Sequence, residues 1–158
     1  MTGDNRKLVV SAIENGTVLD HIPADNIFKV IDILGLSKSD NQITIGINLE
    51  SGSLGRKGII KIAGRYFEDE EMSRIALVAP DATVNIIRDY TVIEKKTISI
   101  PSEVVGIVRC ANPLCVTNHQ DIKTKFTTVN AAGRTQLLCH YCEKATELKT
   151  AEIKTNKN

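Results

Sequence analysis

The apolar residues of this chain recur at two spacings, and the switching between them outlines its elements. Ile43, Ile45, Ile47 and Leu49 alternate with Thr44, Gly46 and Asn48, a period of two that predicts a strand with its apolar side chains on one face. After Pro23, the residues Ile27, Val30, Ile31 and Leu34 recur three and four apart and Gly35 follows, which predicts a helix and its stop. The acidic run at 68–71 suits a helix N-terminus, Met72, Ile75 and Ala76 form an apolar stripe, and Pro80 ends it. Residues 8–13 and 17–22 read as strands joined in a hairpin across Asn15-Gly16. Further strands are predicted at 59–63, after a glycine-rich turn at 51–58, and at 84–87 and 91–98 around Arg88-Asp89. The order strand-strand-helix-strand-strand-helix-strand-strand predicts an α/β (α+β) domain, a largely antiparallel sheet covered by two helices on one face.

Pro101, within 99–103, marks a seam. The organisation expected is a domain over 1–100 and a small all-β, zinc-ribbon-like one over 104–158. The second holds every cysteine of the chain: Cys110 and Cys115, then, after 23 residues, Cys139 and Cys142. Two short knuckles of this kind can close into a tetrahedron of thiolates, so one structural zinc ion per chain is expected. Four thiolates fill the shell and leave no open position for catalysis. His119 and His140 lie near enough to substitute, but the count is complete without them. Two disulfides are the alternative. The chain does not open with a charged segment followed by an apolar one, so a reducing, cytoplasmic setting is expected and metal is preferred.

Twenty basic residues against 19 acidic ones give a net charge of +1, which a divalent ion on four thiolates lowers by two. Such a balance argues against non-specific nucleic-acid binding. No apolar run approaches the ~18 residues of a membrane span. There is no HExxH, no nucleophile elbow, no nucleotide-binding GxGxxG and no phosphate loop, so a non-catalytic chain is expected. A sparse polar set on the predicted strands suggests instead a small anionic ligand: Asp20, His21, Lys57, Lys61, Asn85, Tyr90 and Lys95. Lys61 shares a strand face with Ile59 and Ala63, so its ammonium must escape an apolar layer or meet an anion. Three lysines could supply donors to a triphosphate, although each has an ordinary reading as surface charge. Asp20 and His21 face opposite ways in an ideal strand and reach one ligand only if the strand twists or ends there.

Several stretches together resemble the regulatory chain of aspartate carbamoyltransferase: Gly16-Thr17-Val18-Leu19-Asp20-His21-Ile22-Pro23, Ile43-Thr44-Ile45-Gly46-Ile47-Asn48-Leu49, Gly55-Arg56-Lys57, Ile60-Lys61-Ile62, Ala79-Pro80-Asp81-Ala82-Thr83-Val84-Asn85, Cys110-x4-Cys115 and Cys139-His140-Tyr141-Cys142-Glu143. The resemblance implies an N-terminal allosteric domain that binds CTP and ATP, with UTP a further candidate, and that pairs with its own copy. It implies a C-terminal zinc domain docked on the catalytic chain, in a holoenzyme of two catalytic trimers and three regulatory dimers. Carried across, phosphate contacts fall on His21 and Lys95, ribose or phosphate contacts on Asp20 and Lys61, and base-side contacts around Ala12, Ile13, Asn85, Ile87, Tyr90 and Val92. Ser11, a further nucleotide contact by the same resemblance, stands where the family pattern has glutamate: a backbone contribution tolerates serine, whereas loss of a carboxylate contact changes nucleotide preference. Leu114 stands where an asparagine of the knuckle meets the catalytic chain, while Asn112 keeps its partner asparagine. Ile98, Ile100 and residues 104–108 are the expected route between the domains. The competing classes are a nucleic-acid-binding zinc ribbon, resting on Arg134, Lys144 and Lys149, and a bare adaptor.

Overall fold

The computed structural model describes residues 12–52 and 55–154. Its first part runs β1 (Gly16–Pro23), α1 (Ile27–Ile33), β2 (Ile43–Ser51), β3 (Gly55–Ala63), α2 (Asp69–Val78), β4 (Thr83–Arg88) and β5 (Thr91–Thr97). The five strands form one sheet in the order β2-β3-β1-β4-β5, and every pairing is antiparallel. Leu19, Ile22, Ile60, Ile62 and Val84 from the sheet bury against Ile27 and Val30 of α1 and Ile75 of α2 in a single cluster. Among the described residues, the opposite face of the sheet carries no helix. Gly35 ends the first helix as expected, in the left-handed region at φ 62.

The predicted hairpin is not the one formed. Residues 8–11 lie outside those described, Ala12 and Ile13 are in no strand, and β1 has β3 along one edge and β4 along the other. Asn15 serves those neighbours instead: its carbonyl accepts from the Gly64 N–H at 2.9 Å and its side-chain oxygen accepts from the Asp89 N–H at 3.2 Å. Long-range pairing has overridden the local turn signal.

Strict alternation also fails in β2. Ile43 and Ile45 pair with Ile62 and Ile60 of the core face, but a bulge between Gly46 and Leu49 puts Leu49 opposite Lys57 on the open face. Asn48, inside the bulge, takes φ 60. One extra residue reverses the parity of everything beyond it.

The second part comprises β6 (Glu103–Val105), β7 (Val108–Arg109), β8 (Lys125–Ala131), β9 (Arg134–Cys139), β10 (Ala145–Glu147) and β11 (Glu152–Ile153). They pair as a sheet β10-β9-β8-β6 and a ribbon β11-β7, in agreement with the small all-β unit expected. Its cluster holds Val104, Ile107, Val108, Phe126, Leu137 and three of the cysteines, and it also takes in Leu77 from α2. Ile98 packs on the first cluster and Ile100 on the second, so these neighbours divide at the seam. Leu77, one turn before Pro80, is the link that the sequence pattern did not single out.

Gly16 marks the tightest backbone approach. It has φ 140, and a Cβ there would run into the carbonyl oxygen of Ile62. Gly16→Ala is therefore expected to lower the unfolding free energy by about 2–4 kcal/mol. Urea denaturation followed by circular dichroism checks this; an unchanged midpoint would show that β1 and β3 can separate at that point without loss.

Candidate functional site: the open face of the sheet and the four-cysteine cluster

The open face is organised by three bulges. In β1, Leu19 pairs with Ile60 and Ile22 with Gly58, three residues against two. Leu19 and Ile22 are both fully buried, and Asp20 and His21 are the two residues between them. His21 takes φ 59, and its N–H donates to Asp20 Oδ1 at 2.7 Å. This bulge resolves the sequence-level conflict by letting both residues serve one side. In β5, Glu94 pairs with Ile86 and Val92 with Ile87, so Ile93 is the extra residue. Val92 and Lys95, three apart, thereby share the open face with Ile87 and Asn85. The third bulge is the one in β2.

The register then defines a row across the whole sheet. Thr44 lies opposite Lys61, Lys61 opposite Val18, Val18 opposite Asn85 and Asn85 opposite Lys95. Lys61 and Lys95 are three strand spacings apart, about 14 Å. A second row sets Gly16 beside Ala63 and Ile87, and Ile87 beside Val92, giving an apolar floor on the side of the β4–β5 turn. Asp89 and Tyr90 form that turn at φ 50 and 63, the left-handed pair of a tight hairpin. Tyr90 is exposed, and its N–H donates to the Glu14 carbonyl at 2.9 Å, which draws the segment of Ala12 and Ile13 alongside. Ser11 lies outside the described residues.

At the other end sit the charges. Lys57 Nζ pairs with Asp20 Oδ1 at 2.9 Å, His21 Nδ1 is 3.8 Å from Asp20 Oδ2, and Thr83 Oγ1 is 3.4 Å from His21 Nδ1. Burial pushes the Lys61 ammonium below the ordinary lysine value, against the raising influence of Asp20. The face thus has ion-paired charges at one end, a middle row in which Lys61, Asn85 and Lys95 lie together, and apolar groups at the other end. Thr44 and Thr83 belong to the same surface. Sequence reasoning passed them over because only the cross-strand register places them there.

In the second part, the four cysteines bring their Sγ atoms within 4.8 Å of one another. Cys110 and Cys142 are 3.6 Å apart, and Cys115 and Cys139 are 3.8 Å apart. A disulfide needs ~2.05 Å, whereas sulfurs at the corners of a tetrahedron ~2.3 Å from a central zinc are about 3.8 Å apart. The donor set therefore fits zinc. Neither His119 nor His140 belongs to the group; His119 Nε2 lies 2.7 Å from the Pro113 carbonyl instead.

A side-chain amide holds the first knuckle and a backbone hydrogen bond the second. Asn118 Nδ2 donates to the carbonyls of Cys110 and Asn112 at 3.0 and 2.7 Å, and Glu143, at φ 61, donates its N–H to the Cys139 carbonyl at 3.0 Å. At Cys110 burial dominates and drives the thiol up to about 12. At Cys142 burial also pushes upward, but the Lys144 N–H, the Asn112 side chain and the neighbouring sulfurs bring the thiol down to about 7. A divalent cation would take all four as thiolates and level this difference. Asn118 was missed in the sequence because its partners are carbonyls, which carry no residue signature.

Comparison with known proteins agrees with both halves. Residues 8–99 match the family described as aspartate carbamoyltransferase regulatory chain, allosteric domain, and residues 102–152 match that described as its metal binding domain. The chain is 53% identical over 144 residues to the aspartate carbamoyltransferase regulatory chain of Phocaeicola vulgatus, covering 91% of this chain and 92% of that one. It is 49% identical over 153 residues to that of Bacteroides thetaiotaomicron, covering 97% and 98%, and 51% identical over 142 residues to that of Thermococcus gammatolerans, covering 89% and 93%. This chain belongs to the family of aspartate carbamoyltransferase regulatory chains, which is a family of non-catalytic subunits.

Removing the metal is expected to act on one half only. The sheet of β1–β5 has its own apolar core, while the cluster around Phe126 includes the cysteines themselves. Atomic absorption should find one zinc per chain, and Cys139→Ser or chelation should abolish protection of amides in β8 and β9 while leaving β1 and β3 protected. Retained order in β8 and β9 after complete metal loss would contradict this.

Proposed function

We propose that this member of the family binds a nucleoside triphosphate on the open face of the five-stranded sheet and, through its metal-built part, docks on the catalytic chain of aspartate carbamoyltransferase, whose affinity for substrate it adjusts. The effectors are CTP and ATP competing for one site, with UTP as a further candidate. Residues 1–100 act as the nucleotide-binding allosteric domain and 104–158 as the docking domain, with one structural zinc on Cys110, Cys115, Cys139 and Cys142.

The observation that carries this reading is the register row from Lys61 through Val18 and Asn85 to Lys95. It runs beside the Asp20–His21 bulge and Lys57 at one end and Ile87, Val92 and Tyr90 at the other. His21, Lys57, Lys61 and Lys95 supply cations for phosphates, Asp20 an acceptor for ribose hydroxyls or a partner that organises the lysines, and Asn85 a donor–acceptor pair for a base edge. Ala12 and Ile13 close the base side.

Pairing with a second copy through the N-terminal domain is supported by β2. It is an edge strand of its sheet and exposes Ile45 and Ile47, an arrangement that invites cover. The assembly proposed is two catalytic trimers joined by three such dimers, in the cytoplasm. Leu114, 82% exposed at the tip of the first knuckle, would meet the catalytic chain with an apolar contact where an amide is otherwise expected.

The nucleic-acid reading is weakened by how the basic residues of the second part are used. Arg134 pairs with Glu147 at 3.1 Å, Lys125 with Glu103 at 3.6 Å and Arg109 with Glu152 at 3.9 Å, so these three cations are matched by carboxylates of the same part. No helix among the described residues is long and apolar enough to cross a membrane.

Lys61→Ala should weaken CTP and ATP about tenfold or more and the corresponding nucleosides hardly at all. Because the Lys61 pKa is lowered, triphosphate affinity should begin to fall, as pH rises, earlier than for an ordinary lysine, and Lys61→Arg should remove that early fall. Titration calorimetry checks both; equal loss for nucleoside and triphosphate would remove Lys61 from the phosphate end.

A further inference from the structure

Helix α2 serves two cores at once. Ile75 is buried in the cluster beneath the five-stranded sheet, while Leu77 is buried among Val104, Ile107, Val108 and Phe126 of the metal-built part. Arg74 lies one turn before Leu77 and is itself buried, at 8% exposure. A guanidinium keeps its charge at any pH a protein meets, so its burial at a junction requires acceptors. It has one on each side. Nη2 donates to Glu70 Oε1 at 3.2 Å, one turn back on the same helix, and Nη1 donates across the junction to the Lys154 carbonyl at 3.4 Å.

Lys154 is not a loose end. Its own N–H donates to the Ile107 carbonyl at 2.7 Å, and the preceding residues Glu152 and Ile153 form the ribbon with Arg109 and Val108. Cys110 follows directly. A continuous hydrogen-bonded path therefore runs from Arg74 through β11 and β7 to the first metal knuckle.

Beside this contact the junction is open. A cleft of about 780 Å³ separates Asp25, Lys29 and Asp81 from Arg134, Glu147 and Lys149. The two parts thus meet along a narrow line at α2, with room to tilt on one side of it. A planar fork that binds two acceptors in fixed directions restricts such a tilt, where an apolar contact such as Leu77 resists separation but not rotation.

We propose that Arg74 is a positioning residue that fixes the attitude of the metal-built part relative to α2, and hence to the nucleotide-facing sheet; its consequence for regulation rests on the function proposed above. Arg74→Met keeps the length and apolar stem but removes the fork, and Arg74→Lys keeps the charge alone.

Hydrogen exchange of the zinc-loaded chain, followed by mass spectrometry, reads the contact without nucleotide. Arg74→Met should speed exchange about fivefold or more at 103–110 and 150–154 and leave β1 and β3 unchanged, with Arg74→Lys in between. In the assembly with the catalytic chain, nucleotide affinity should stay within about twofold while the nucleotide-induced shift in aspartate half-saturation falls by about half or more. Unchanged exchange at 103–110 and 150–154 in both variants would overturn the proposal, as would loosening of both parts together, which marks a general folding contact. A wild-type assembly indifferent to nucleotides would defeat the regulatory reading alone, since the exchange pattern still decides the role of Arg74.

Discussion

A β-strand alternates its side chains, so two neighbours, or two residues three apart, cannot share a face unless an extra residue is inserted. The open face depends on that insertion. Without the bulge in β1, Asp20 and His21 would point to opposite sides and one of them would enter the helix-covered core. Without the bulge in β5, Val92 and Lys95 could not both lie beside Ile87 and Asn85. The strain is visible at His21, a non-glycine residue at φ 59, and it is held by Leu19 and Ile22, whose full burial on either side leaves the backbone little choice. Core packing on one face therefore sets the geometry of the polar groups on the other.

The second part is governed by a different constraint. Its apolar cluster is small and counts cysteines among its members, so the sulfurs contribute to folding both as buried groups and as ligands. Cys110 lies 3.6 Å from Cys142 and Cys115 lies 3.8 Å from Cys139, and each of these pairs joins one knuckle to the other. A metal bound there closes the long excursion between the knuckles, which weak packing alone would leave costly to order. Arg74 and Leu77 lie where that metal-dependent body meets the self-sufficient one, which gives the junction a bearing on both.

Local patterns in the sequence carried much of this. Helix α1 and its Gly35 stop, the strand with Lys61 between Ile60 and Ile62, and the four-cysteine spacing could be read without a structure, because each depends on neighbours in the chain. Pairings between distant segments could not. The Asn15-Gly16 dipeptide has the chemistry of a hairpin, yet β1 is flanked by β3 and β4. The run from Ile43 to Leu49 has perfect alternation, yet a bulge turns Leu49 to the opposite face. At the junction, Ile98 and Ile100 of the linker belong to different clusters, a division that their spacing in the chain does not reveal. Leu77 was hidden in a helix whose other apolar residues already had a core to fill, and a buried Arg74 has no periodic signature at all.

The central claim is that one face of one sheet receives the nucleotide. Amide chemical-shift mapping by NMR on the isotope-labelled chain, with ATP and with CTP, tests it most directly. Both nucleotides should perturb the same set, centred on Asp20, His21, Lys61, Asn85 and Lys95 and reaching Ile87 and Tyr90, while residues of β8 and β9 stay unmoved. Perturbations centred instead on the cleft between Lys29 and Lys149, or on the metal knuckles, would contradict it.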